Sequence, residues 1–160
     1  MTTCVFPGSF NPVTKGHLDL IARTSSLFDH VTVVVMNNIH KTDSIPAEQR
    51  VTLLRKACRA FPNVTVERWD GLLADLMRIR NERIVIRGIR GTIELEQEIQ
   101  AWDANRRLNS NIETVFLPCS PSLKGVSSSA VREIAAFGGD IRPFVPEELT
   151  EEIMHLLSKH

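Results

Sequence analysis

The chain has 160 residues, of which 42% are hydrophobic and 24% charged, and its formal net charge at pH 7 is zero. This length favours a single domain, and the composition is that of an ordinary globular protein. A net charge of zero provides no general attraction for nucleic acids or anionic membranes, so an anion site would have to be built from local charges.

The three cysteines, Cys4, Cys58 and Cys119, lie far apart and form no CxxC pair. This spacing indicates reduced thiols rather than a disulfide framework or a zinc site. The first residues lack the basic and apolar regions of a signal peptide, and no apolar run approaches the ~20 residues that span a bilayer. The sequence therefore predicts a cytoplasmic protein with no membrane partner.

Short β-branched runs alternate with longer segments in which apolar residues recur about every 3.6 positions. The runs are interpreted as buried strands, with the sequences TTCVF, VTVVVM, VTVER, RIVIRG and ETVFL. The predicted helices between them cover Leu18–Phe28, Ala47–Phe61, Leu72–Ile79 and Ile93–Leu108. A polar loop, Cys119–Ser129, then leads to a helix at Ala130–Phe137, and a final helix follows Pro146.

This alternation predicts an α/β fold in which residues 1–160 form one doubly wound, Rossmann-like domain. Its sheet would have five mostly parallel strands, followed by helices at the carboxyl end of the chain. Ligands of such sheets bind beyond the carboxyl ends of the strands, where the strand order reverses. Functional residues are therefore expected in the loops that follow the strands.

The first of these loops, Phe6–His17, has the sequence FPGSFNPVTKGH and contains few residues that could pack a core. Gly8 allows a close backbone approach, and Ser9 offers a hydroxyl and an amide near a helix entrance, where N–H groups favour anions. His17 would project from the first helical turn. The loop matches neither GxxxxGK[ST] nor GxGxxG, so an ordinary turn is the alternative to a phosphate-binding loop.

Two short elements carry a resemblance to a known family. TKGH, at residues 14–17, resembles the (T/H)xGH element of the nucleotidyltransferase superfamily, and VSSSAVR, Val126–Arg132, resembles its ISSTxxR element. Between them, RGIRG at Arg87–Gly91 and the acidic run TIELEQEIQ narrow the match. Over its whole length the chain resembles the bacterial phosphopantetheine adenylyltransferase family.

This resemblance implies transfer of AMP from ATP to 4′-phosphopantetheine, with dephospho-coenzyme A and pyrophosphate as products. The attacking group would already be a phosphate anion, so catalysis would depend on positioning and on charge stabilisation rather than on a strong base. The resemblance also implies Mg²⁺ accompanying ATP, with phosphates and water as its main ligands, because the carboxylates of the sequence form no metal-binding cluster. A homohexamer and inhibition by coenzyme A are further expectations of this kind.

The resemblance assigns catalytic roles to three residues. His17 would donate a hydrogen bond to an α-phosphate oxygen, Lys41 would bridge the two reacting phosphates, and Arg90 would lie near the β- and γ-phosphates. The predicted ATP-binding residues are Ser9, Phe10, His17, Gly88, Ile89, Arg90, Glu98, Leu123, Lys124, Gly125, Val126, Ser127, Ser128 and Ser129. The predicted acceptor-binding residues are Ser9, Lys41, Leu73 and Arg87.

Some positions depart from the family pattern or are interpreted without it. Leu123 and Gly125 stand where the family commonly has aromatic residues, which puts ligand packing by aromatics at these positions in doubt. Asn11 stands where Asp is more common. Glu94 and Glu96 are interpreted as a solvated helix face.

Two other functions stay open. A related nucleotidyltransferase would use another phosphorylated acceptor, such as nicotinate mononucleotide, glycerol phosphate or phosphocholine. A regulatory module would bind the nucleotide without turnover, although the combination of His17, Lys41 and Arg90 weighs against it. Nucleic-acid binding is a third alternative with less support, because zero net charge and the lack of tyrosine leave no basic and aromatic surface.

Overall fold

The computed structural model describes residues 1–40 and 45–159. Its strands are β1 Thr3–Gly8, β2 His30–Met36, β3 Val64–Trp69, β4 Ile84–Ile89 and β5 Glu113–Pro118. Its α-helices are α1 Lys15–Leu27, α2 Ala47–Ala57, α3 Leu73–Ile79, α4 Thr92–Leu108, α5 Ser128–Ala136 and α6 Thr150–Ser158. Short 3₁₀ turns at Pro121–Leu123 and Glu147–Leu149 precede α5 and α6.

The five strands form one sheet in the order β3-β2-β1-β4-β5, and all neighbouring strands are parallel. The chain leaves β1 in one direction to β2 and β3, then returns to the other side of β1 with β4 and β5. This order confirms the predicted doubly wound α/β fold. The strand order reverses between β1 and β4, so the ligand crevice of this fold class is expected there.

Both faces of the central strand are buried, which explains its continuous run of apolar residues. Cys4 and Phe6 of β1 face the larger apolar cluster, whereas Val5 faces a smaller one. Helices α1, α2, α5 and α6 contribute to the larger cluster, and α3 contributes to the smaller one. The expectation that all five strands are buried is wrong for β3 and β5, which are only partly covered because each lies at an edge of the sheet.

Helix α1 begins at Lys15, three residues earlier than predicted, because Thr14 caps it. The Thr14 hydroxyl accepts a hydrogen bond from the backbone N–H of His17 at 3.2 Å. Such a cap satisfies one of the N–H groups that a helix start leaves unpaired. Gly16 and His17 therefore belong to the first helical turn, at the carboxyl edge of the sheet.

Within residues 1–40 and 45–159, no helix combines the length and the apolar character that crossing a bilayer requires. The three cysteines are free thiols: Cys4 and Cys58 are buried, and Cys119 is partly exposed.

Candidate active site

Two adjoining cavities open at the carboxyl ends of β1 and β4. The first cavity, of about 380 Å³, lies between the β1–α1 turn, the end of β4, one face of α4 and the segment from residue 123 to residue 132. The second cavity, of about 160 Å³, lies between the strand ends and the next two turns of α4. Pro7, Arg87 and Glu98 line both cavities, so the side chains of Arg87 and Glu98 form the partition between them.

Most of the residues predicted from the sequence come together here. The first cavity is lined by Ser9, Phe10, His17, Arg87, Gly88, Arg90, Glu98, Leu123, Val126, Ser127, Ser128 and Ser129. Leu73 lines the second cavity, apart from the ATP-binding set. Ile89 and Gly125 line neither cavity, and Lys124 lies in an open depression beside Arg90. Lys41 lies outside the described residues, so its predicted role stays a prediction.

The turn after β1 is held by close packing. Phe10 has a φ of 47° and is 1% exposed, and its ring packs edge-on against the imidazole of His17 with 4.8 Å between centroids. A Cβ atom on Gly8 would lie 3.0 Å from the Phe10 ring, which explains the glycine. Phe10 therefore supports His17 from the core side and offers little ring surface to a ligand.

A wholly buried guanidinium joins this turn to the next loop. Arg50 of α2 donates from Nη1 to the carbonyl oxygen of Ser9 at 2.7 Å and from Nε to that of Ile45 at 2.9 Å. Its Nη2 donates to the side-chain oxygen of Asn37 at 3.0 Å. One side chain thus fixes the Ser9 carbonyl relative to the loop after β2. Arg50 is not among the residues predicted from the sequence.

The imidazole of His17 is held in one tautomer. The backbone N–H of Thr14 donates to Nδ1 of His17 at 3.0 Å, so Nδ1 is unprotonated and Nε2 carries the proton. Burial, and then the positive charges of Arg87 and Arg90, lower the pKa of His17 from 6.5 to about 4. His17 is therefore a neutral Nε2–H donor at neutral pH.

Two helix starts face the first cavity. Helix α1 begins beside His17, and α5 begins at Ser128 with Ser127 as its cap, whose hydroxyl accepts from the N–H of Ala130 at 3.1 Å. The Ser128 hydroxyl donates to the carbonyl of Pro12 at 2.7 Å and ties the two helix starts together. Exposed N–H groups and helix dipoles at such starts attract anions.

Three arginines line the first cavity. Arg87 forms a bidentate ion pair with Glu98, and Arg90 pairs with Glu94. Arg132 donates to the carbonyl of Asn11 at 2.6 Å. Arg132 closes the VSSSAVR element but is missing from the predicted site residues, although its place in that element was the signal that could have identified it.

Glu94 corrects one expectation from the sequence. It does not belong to a solvated helix face, because its carboxylate accepts from Nε of Arg90 at 2.9 Å and lines the first cavity. Glu96, two residues further along the same helix, is exposed. The charge pattern of the helix alone could not distinguish the two glutamates, because the distinction depends on the distant strand β4.

The second cavity is narrow and largely apolar. Met36, Leu73, Val85 and Trp102 provide its apolar surface. The indole N–H of Trp102 donates to Glu113 at 2.8 Å, which fixes the ring at the cavity wall. The shape and lining suit a slender, mostly uncharged chain.

Comparison with known proteins agrees with this geometry. Residues 5–134 match the family model described as cytidylyltransferase-like. Phosphopantetheine adenylyltransferase of Clostridium perfringens is 42% identical over 158 residues, which cover 99% of this chain and 96% of that protein. The enzyme of the same name from Rubrobacter xylanophilus is 42% identical over 159 residues, covering 99% and 97% of the two chains.

The chain belongs to the phosphopantetheine adenylyltransferase family. This confirms the resemblance carried by the TKGH and VSSSAVR elements. A crystal structure described as a nicotinate-nucleotide adenylyltransferase from Vibrio parahaemolyticus superposes with a TM-score of 0.65 at 19% identity, covering 99% of this chain and 93% of that one. That similarity shows the shared fold.

In this member of the phosphopantetheine adenylyltransferase family, two positions of the 123–129 loop, Leu123 and Gly125, lack aromatic side chains. Leu123 lines the first cavity, whereas a Cβ atom on Gly125 would meet nothing within 4 Å. Ligand contact on this side of the cavity therefore falls to aliphatic side chains, to backbone groups and to the serines.

Among the residues that the structure describes, the site contains cations and neutral donors rather than a cluster of metal ligands. Within residues 1–40 and 45–159, no three side chains of His, Cys, Asp or Glu come together as a metal-binding group. The two cavity carboxylates, Glu94 and Glu98, are already paired with arginines.

Proposed function

We propose that this protein transfers AMP reversibly from ATP to 4′-phosphopantetheine, forming dephospho-coenzyme A and pyrophosphate. The pair of adjoining cavities that meet at Arg87 carries this proposal. The first cavity presents N–H donors and arginines around His17, which suits the phosphates of a nucleotide. The second is apolar and suits the pantetheine arm, so the acceptor phosphate would lie where the cavities meet.

In the proposed reaction, an oxygen of the acceptor phosphate attacks the α-phosphorus of ATP and forms a new P–O bond. The bond from the α-phosphorus to the bridging oxygen breaks, and pyrophosphate leaves with that electron pair. No proton has to be removed from the attacking group. Nε2–H of His17 would donate to an α-phosphate oxygen, and Lys41 would approach both reacting phosphates.

The departing pyrophosphate is the second place where negative charge accumulates. Arg90, Arg132 and the start of α5 at Ser127–Ser129 line the first cavity but not the second. These groups would hold the β- and γ-phosphates and stabilise the leaving group. Mg²⁺ would enter as the ATP chelate, with phosphate and water oxygens as its ligands, since Glu94 and Glu98 are committed to arginines.

The proposal also includes inhibition by coenzyme A and a cytoplasmic location. Coenzyme A contains the same pantetheine arm as the acceptor, so it would compete for the second cavity and inhibit. We place the reaction in the cytoplasm, where the free thiols of Cys4, Cys58 and Cys119 would stay reduced.

The protein is further proposed to act as a homohexamer. Helix α4 has 17 residues and none of them is buried, and Ile93 on it is 78% exposed. Leu108 and Val115 add to the exposed apolar surface around this helix. Light scattering should give about six times the chain mass of 18.0 kDa. Ile99, also on α4, is 45% exposed, and Ile99→Glu should reduce this mass. A wild-type mass of one chain would contradict this assembly.

The activity is tested by pyrophosphate release with ATP, Mg²⁺ and each candidate acceptor. Phosphopantetheine should support turnover, whereas nicotinate mononucleotide, glycerol phosphate and phosphocholine should not. Because a hydrogen bond to a charged group contributes ~1.5–3 kcal/mol, Arg87→Ala should raise the acceptor KM roughly 10- to 100-fold. The KM for ATP should change much less.

Two results would contradict this proposal. A larger effect of Arg87→Ala on the KM for ATP than on that for the acceptor would show that the two subsites are exchanged. Tight ATP binding without turnover on any acceptor would favour a regulatory module.

A further inference from the structure

Helix α4 presents two glutamates to the two arginines that end β4. Both carboxylate oxygens of Glu98 accept from Arg87, at 2.8 Å from Nε and 2.7 Å from Nη2. One turn earlier on the same face, Glu94 accepts from Nε of Arg90 at 2.9 Å. We propose that both glutamates are positioning residues that act through these arginines, Glu98 through Arg87 at the acceptor site and Glu94 through Arg90 on the nucleotide side. This inference rests on the proposed function.

The hydrogen bonds of Arg87 show what Glu98 fixes. A guanidinium has five N–H groups. Glu98 accepts from Nε and from Nη2, and the carbonyl oxygen of Pro7 accepts from Nη1 at 2.6 Å. The two N–H groups that remain are one on each terminal nitrogen. They can grip two oxygens of a phosphate, so Glu98 and Pro7 determine which edge of Arg87 is offered to a ligand.

The burial of the pair supports indirect action. The side chain of Glu98 is 15% exposed and that of Arg87 is 34% exposed, and both oxygens of Glu98 are already engaged. Each carboxylate oxygen keeps a lone pair for a further donor, so the ion pair with Arg87 can persist while ligands bind. A guanidinium fixed before the ligand arrives loses less side-chain entropy on binding, which is the advantage of preorganisation.

The sign of a mutational effect separates positioning from simple electrostatics. A carboxylate close to a phosphate site repels the phosphate, so its removal would tighten ligand binding if charge alone mattered. If the carboxylate orients the arginine, its removal weakens binding instead. Glu94 and Glu98 provide two instances of the same arrangement, one on each side of the proposed reaction.

The test compares single alanine substitutions of three glutamates on α4. Glu98→Ala should raise the acceptor KM about tenfold, because ~1.4 kcal/mol of orientation is lost, and should raise the ATP KM less. Glu94→Ala should show the reverse pattern. Glu96→Ala is the matched control: it removes the same charge from an exposed position that forms none of the ion pairs of the described residues, so both constants should stay unchanged.

A double substitution makes the test specific. If Glu98 acts through Arg87, then Glu98→Ala should not raise the acceptor KM any further once Arg87→Ala is present. Glu98→Gln, which keeps one acceptor oxygen, should fall between wild type and Glu98→Ala. Thermal unfolding of each variant shows whether it has folded.

Three outcomes would overturn the inference: a lower acceptor KM in Glu98→Ala, an effect on the ATP KM alone, or an equal effect of Glu98→Ala with and without Arg87. Failure of the proposed function is a separate result, seen as no turnover of phosphopantetheine by the wild type. In that case the equivalent cycle of Glu94 and Arg90 is measured as affinity for inorganic pyrophosphate. Loss of affinity in Glu94→Ala that vanishes in the Arg90→Ala background supports the inference, and any other pattern overturns it.

Discussion

His17→Ala is expected to reduce kcat by about 100- to 1,000-fold, which is the usual effect of removing one preorganised donor to developing charge. The imidazole is fixed by Thr14 on one side and by the ring of Phe10 on the other, so its Nε2–H is oriented before substrate binds. The arginines and the start of α5 remain in the variant. The affinity for ATP, measured by calorimetry, should therefore change only a few-fold.

The matched control for this variant is His155→Ala, which removes an exposed imidazole from α6. It should leave kcat unchanged, and circular dichroism should show that both variants are folded. A His17→Ala enzyme within a few-fold of the wild-type rate would show that the catalytic assignment is wrong.

The pH dependence provides an independent check of the same residue. Because the pKa of His17 lies at about 4, the neutral donor form is present at all pH values well above 4, and protonation sets in only as the pH falls towards that value. We therefore expect no step near pH 6.5 in kcat/KM, which reports the free enzyme, that His17→Ala abolishes. Such a step would mean that the imidazole titrates at its ordinary pKa and acts in a charged form.

Arg50→Met is expected to lower the free energy of unfolding by about 3 to 5 kcal/mol, because at least two acceptors inside the protein lose their donor, at ~1–3 kcal/mol each. The substitution would leave the carbonyl oxygens of Ser9 and Ile45 without their present donor. For a chain of this length, the melting temperature should fall by roughly 6 to 20 °C. Urea unfolding followed by circular dichroism measures the change.

Arg55→Met is the matched control, because Arg55 lies on the same helix and also donates to a backbone carbonyl, that of Val66 at 3.2 Å. Arg55 is exposed, so its loss should cost less than about 1 kcal/mol. Equal unfolding free energies for the two variants would contradict the structural role of Arg50. Arg50→Lys keeps the charge but replaces the planar guanidinium, with its several N–H donors, by one ammonium group. Its unfolding free energy should lie between those of Arg50→Met and wild type.

The fold could be predicted because its signals are local. Each strand is a β-branched run, and each helix has an apolar stripe. The burial of β3 and β5 could not be judged in this way, because whether a strand is central or lies at an edge depends on the order of the whole sheet. Sequence patterns within a strand do not contain that order.

The same distinction between local and long-range signals explains which site residues could be predicted from the sequence. His17 and the serines at 127–129 lie in short motifs, so their place at the first cavity could be predicted from those motifs. Arg50 could have been suspected, because its spacing from Ala47 and Leu54 puts a charge on the apolar face of α2, but its carbonyl partners lie in other loops.

Glu94 and Trp102 show what sequence patterns leave out. From the sequence alone, Glu94 is interpreted as solvated, and Trp102 is not among the predicted site residues. Their contacts with Arg90 and with the second cavity arise only when α4 packs beside β4 and β5. A residue whose role depends on a partner in another element gives no local signal.

A crystal structure with 4′-phosphopantetheine and α,β-methylene ATP would show where both ligands bind before reaction, since this analogue cannot lose pyrophosphate. We expect the α-phosphate within hydrogen-bonding distance of Nε2 of His17 and the acceptor phosphate on Arg87. The pantetheine arm should run along Leu73 and Trp102 in the second cavity. Either ligand bound elsewhere, or an imidazole turned away from both phosphates, would contradict this expectation.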